Sequence, residues 1–68
     1  MDEFYRRPLS DIEETILNYI KAHPGRNHEE IAAEFHNTEL AHMAIAYLCQ
    51  QQHVYQDPRN HAIYKEKP

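Results

Sequence analysis

Hydrophobic positions along the chain form three helical stripes and then two short alternating runs. Ile12, Ile16, Leu17 and Ile20 recur at i, i+4, i+5 and i+8, while Glu13, Glu14, Asn18 and Lys21 lie off that stripe, which predicts an amphipathic helix with one buried face. Ser10-Asp11-Ile12-Glu13 ahead of it reads as a capping box, with the Ser hydroxyl accepting from the Glu13 N–H and the Glu carboxylate reaching back to the cap. His23-Pro24-Gly25 ends the helix, because Pro disfavours a helical residue before it and Gly takes positive φ at little cost.

Asn27-His28-Glu29-Glu30 repeats the capping pattern with Asn as cap. Ile31, Ala32 and Phe35 then fill one face of a short second helix, interrupted at His36-Asn37-Thr38. Asn37 or Thr38 caps a third helix, whose apolar residues Leu40, Ala41, Ala44, Ile45 and Leu48 predict a helix to about Gln52. After it the period changes. Residues 53–56 and 61–65 read as strands around the turn Asp57-Pro58-Arg59-Asn60. Such a hairpin is marginal alone and must pack on the helices. The pattern therefore predicts a mainly α fold with a small β-hairpin, in one domain over residues 9–66. Residues 1–8 are expected to be a flexible N-terminal arm and residues 67–68 a tail.

Size and charge narrow the function. At 68 residues the chain has room for one core and little volume for a water-excluding pocket. Glu13-Glu14 and Glu29-Glu30 sit at helix starts, where capping and the helix dipole explain them. No enzyme activity and no cofactor is expected. Cys49 stands alone in a helical pattern and reads as a small buried hydrophobe. With neither a leader pattern nor a membrane-length apolar run, the expected compartment is the cytoplasm, without membrane contact. The net charge is −4, against the basic footprint of most nucleic-acid binders. It is unevenly spread: residues 1–36 hold eight acids and four bases, residues 37–68 three of each.

Three helices, a tight turn between the second and third, and a hairpin at once after them resemble the winged helix-turn-helix family over residues 9–66. The residues that carry the resemblance are Ile31 and Phe35, then Ala41, Ile45 and Leu48, then Val54 opening the wing and Ile63 or Tyr64 closing it. In size the chain looks like the small stand-alone regulators of that family. The resemblance implies a three-helix bundle plus wing, a third helix that enters the DNA major groove, and a role in transcription regulation, in some members as a homodimer. His36 and Gln52 stand where the family often has Gly.

On this reading the candidate binding residues are Asn37, Thr38, His42, Met43, Ala46, Tyr47 and Gln50 on the third helix, with Arg59, Asn60 and Lys65 around the wing. Thr38, His42 and Gln50 suit hydrogen bonds to base edges, and Met43 or Ala46 contact with a thymine methyl. From Asn37 to Gln52 the one charged residue is Glu39, so phosphate contacts must come from Arg59, Lys65 and Lys67, helped by Arg6, Arg7 or Arg26. The same face, with Met and Tyr and few charges, suits a protein interface equally well. Double-stranded DNA and a protein partner are thus both carried forward. Phe4, Tyr5 and the other tyrosines are not interleaved with basic residues, as single-strand stacking platforms are. The six histidines (His23, His28, His36, His42, His53 and His61) show no His-x₃-His pair, so no metal site is expected. On an acidic domain they do make the charge pH-sensitive.

Overall fold

The computed structural model describes residues 7–67. Most of the expected arm (1–6, with Phe4, Tyr5 and Arg6) and the end of the tail, Pro68, lie outside the described residues. The element order is α1 (Asp11–Ala22), α2 (His28–Ala32), α3 (Thr38–Gln50), β1 (Tyr55–Gln56) and β2 (Ile63–Tyr64).

Both predicted capping boxes are present. The Ser10 hydroxyl accepts from the Glu13 N–H at 3.3 Å while Glu13 Oε1 accepts from the Ser10 N–H at 2.9 Å. Asn27 and Glu30 exchange the same pair of bonds at 2.8 and 3.0 Å. For a helix of only five residues this matters, because so short a segment has no stability of its own. Beyond Ala32 the chain tightens into i→i+3 turns, Glu34 N–H to Ile31 C=O and Phe35 N–H to Ala32 C=O. Phe35 therefore reaches the core from a turn, its ring edge-on to Tyr19 at 6.0 Å.

α3 packs on both α1 and α2. Asn37 is its cap, with Oδ1 accepting from the Leu40 N–H at 3.0 Å. Ala41, Ile45 and Leu48 are fully buried and Ala44 nearly so, but Leu40, expected on the same stripe, is 49% exposed. At about 100° per residue, Leu40 lies roughly 90° from the centre of the stripe that the other four define. The helix ends at Gln50, two residues before the expected Gln52. There the Gln52 N–H bonds the Cys49 C=O and the His53 N–H bonds the Leu48 C=O, a Schellman close. Gln52 takes the left-handed position at φ 63°, where glycine is usual. At His36, the other position where the resemblance implied Gly, the backbone has no positive φ.

β1 and β2 pair antiparallel, Tyr55 opposite Tyr64 and Gln56 opposite Ile63. They are shorter than the expected runs 53–56 and 61–65. Asp57 N–H bonds Ala62 C=O, His61 N–H bonds Asp57 C=O, and His61 turns through φ 63°, so the loop uses residues that the alternation assigned to the second strand. The turn around residues 23–26 adds a contact with no periodic signal in the sequence. Ile63 donates to Arg26 C=O and accepts from Gly25 N–H, both at 2.9 Å, forming an isolated antiparallel bridge. Gly25, at φ 92°, makes the approach possible. Both backbone groups of Ile63 are thus bonded to the Gly25-Arg26 turn, the residue is fully buried, and β2 packs on α1.

Candidate interaction surface

The register that buries Ala41, Ala44, Ile45 and Leu48 turns Glu39, Met43, Ala46 and Gln50 outward, and all four are exposed. Leu40 and Tyr47 fall on one flank of that face and His42 on the other. Leu40 and Met43, at 49% and 64%, are the exposed large hydrophobic residues among those described. Thr38 is exposed in the first turn; the Asn37 carboxamide oxygen is engaged in the cap.

Each flank is pinned to the rest of the molecule. On the Tyr47 side the Arg7 guanidinium carbon stands 4.0 Å over the Tyr47 ring, a cation–π contact. The same guanidinium grips the Glu13 carboxylate with two bonds, 2.8 Å to Oε1 and 2.6 Å to Oε2. Glu13 is only 6% exposed. The Arg7 bonds, partly opposed by burial and helped by the Ser10 N–H, hold its pKa down at about 2. Sequence periodicity left Glu13 off the apolar stripe; its burial depends on a cation six residues earlier that closes over it.

On the other flank His42, half-buried, meets His28 of α2, with their Nδ1 atoms 3.4 Å apart. His28 also lines an open cleft of about 300 Å³ with Asn27, Glu29, Gln56 and His61. Burial, and then the neighbouring charge of His42, push the His28 pKa below its ordinary value. The pairing joins positions fourteen residues apart, which local spacing does not reveal.

The hairpin candidates have local duties. Arg59 bonds Asp57 through its backbone N–H at 2.8 Å and through Nε and a terminal NH₂ at 3.2 and 3.1 Å. The Arg59 hydrogen bonds hold the Asp57 carboxyl below its usual range, although its side chain is 87% exposed and that of Asp57 only 7%. Asn60 accepts from the Ala62 N–H at 3.0 Å and shapes the loop. Lys65 is half-buried just past β2, and the Lys67 ammonium lies 5.8 Å from the Tyr55 ring centre. Two of the cations expected to meet phosphate, Arg7 and Arg59, thus already neutralise carboxylates of this chain.

Among the described residues no three His, Cys, Asp or Glu are grouped to hold a metal ion, and no helix is long and apolar enough to cross a membrane. Cys49 is half-buried, and burial pushes its thiol pKa up, away from the reactive thiolate. No protein-family model, curated protein or solved structure matches the chain.

Proposed function

We propose that this is a winged-helix binding module that docks a partner protein through the outward face of α3. The winged-helix reading is supported by the order of three helices and a hairpin, and by the isolated Arg26–Ile63 bridge, which ties the hairpin to the turn between α1 and α2. The observation that carries the partner's nature is the make-up of the face. Met43, Ala46 and Leu40 are exposed on it, and from Thr38 to Gln50 there is no Lys or Arg. Desolvated Met and aromatic anchors with few charges are what protein interfaces use. DNA affinity leans instead on phosphate neutralisation, and here Arg7 and Arg59 are committed to Glu13 and Asp57.

A regulator of transcription that reads duplex DNA is the second reading, favoured by the outward position of α3 and by Lys65 and Lys67 beside the hairpin. In it Thr38, His42 and Gln50 face base edges while Arg59, Asn60 and Lys65 approach the backbone. Met43→Ala and Gln50→Ala, each tested in parallel against co-purified protein and co-purified DNA, separate the two. Loss of a protein complex with Met43→Ala supports the interface. A changed sequence preference with Gln50→Ala, with affinity falling as about the third to fifth power of salt concentration, supports DNA.

A further inference from the structure

His28 and His42 meet at the joint between α2 and α3, and the way they meet limits how many protons they can hold. Their rings are nearly parallel, 8° apart, with centroids separated by 5.6 Å. The Nδ1 atoms, at 3.4 Å, are much closer than the centroids, so the rings meet edge to edge, nitrogen facing nitrogen. In that geometry one Nδ1 carries a hydrogen and the other offers its lone pair. We propose that His28 and His42 form a proton-operated clasp between α2 and α3, closed when the pair is neutral or holds one extra proton and opened when it takes up a second.

The proton inventory of the two rings gives this behaviour. In the neutral pair the donor ring is the Nδ1–H tautomer and the acceptor ring the Nε2–H tautomer. A first added proton goes to the free Nε2 of the donor ring, which leaves an imidazolium donating to a neutral imidazole, a charge-assisted version of the same bond. The second proton has only the acceptor's Nδ1 to bind. Its arrival sets two N–H groups and two positive charges against each other, so the rings must separate. Titration of the pair is therefore coupled.

The groups facing His28 from the surrounding elements are Glu29 on α2, His42 on α3 and His61 on the hairpin, with Gln56 completing the cleft. The depressed pKa of His28, from burial first and His42 second, agrees with a ring that resists the second charge. The element loosened is α2, a five-residue helix that depends on its cap, its burial of Ile31 and Ala32, and this contact. Loss of this one contact loosens the joint and alters the His42 flank of the α3 face, while Ile31 and Ala32 keep α2 on the core.

The test is a pH titration of the histidine ring NMR signals of the full chain between pH 8 and pH 4, with amide exchange measured in parallel. In the wild type the two rings should titrate in two separate steps, the second below the ordinary value near 6.5, and in His42→Gln the remaining His28 should titrate in one step above that second midpoint. Below the second midpoint the amides of residues 31–35 should exchange about fivefold faster, once corrected for intrinsic rates and referred to α1, as expected for the loss of one hydrogen bond. If His42→Gln fails to fold, the wild-type titration and exchange decide alone. Two independent titrations at the ordinary value, or α2 protection that falls only in step with α1, overturn the clasp.

Discussion

Arg7 and Glu13 form a two-bond ion pair, at 2.6 and 2.8 Å, that closes the N-terminal side of α1 over a nearly buried carboxylate. The contact also brings Arg7 onto Tyr47, so one side chain ties α1 to the flank of α3.

Replacing Glu13 by Gln isolates the ion pair, since Gln can still complete the capping box. The variant should lose about 1 kcal/mol at neutral pH, allowing for the part-exposure of Arg7. The pH sign follows from the depressed pKa. The Glu13 contribution is fully present above the ordinary value of 4.5 and is lost as pH falls towards 2. Urea melts at pH 7 and pH 2.5 should therefore differ less for Glu13→Gln than for the wild type. An unchanged difference would show that the pair contributes nothing to acid sensitivity.

Gln52 and Gly25 give opposite backbone predictions. Gln52 sits at φ 63° at the end of α3, so Gln52→Gly should stabilise by about 0.5–1 kcal/mol, the strain relieved less the added chain entropy. Gly25 has φ 92°, with the nearest atoms to an added Cβ at 3.7 Å. Space is adequate there, yet Gly25→Ala should cost roughly 1–2 kcal/mol through backbone strain. Thermal melts of the two variants should move in opposite directions.

The core prediction rests on Ile45, fully buried where α3 meets α1 and α2. Ile45→Asp would place an unpaired carboxylate there, at a cost of several kcal/mol in a domain whose total stability is about 3–5 kcal/mol. The cooperative melt should disappear. Ala46→Glu, one residue on and facing solvent, should melt like the wild type.

What the sequence made legible was local. Ser10 with Glu13 and Asn27 with Glu30 announced two helix starts, because a capping box is a contact between residues three apart. The stripe Ala41, Ala44, Ile45 and Leu48 was visible for the same reason. Leu40 was misread because it adjoins that stripe in sequence while lying a quarter turn away around the helix. Long-range contacts left no periodic trace: Arg26 with Ile63, His28 with His42, and Arg7 with Tyr47. The outward positions of Met43, Ala46 and Gln50 followed from the helix period. The engagement of Arg59 with Asp57 did not, since a turn sequence does not specify which way a long cation folds back.

The proposed docking role of the α3 face is tested most directly by a photo-crosslinking amino acid placed at Met43 in the full chain within its native cells, with Lys21 on α1 as the control position. Crosslinked material would be digested separately with nuclease and protease. The expected result is a discrete, nuclease-resistant protein adduct from position 43, absent from position 21 and lost when Ala46→Glu is added. A nuclease-sensitive adduct at position 43, or equal protein adducts from both positions, would contradict a protein-docking face on α3.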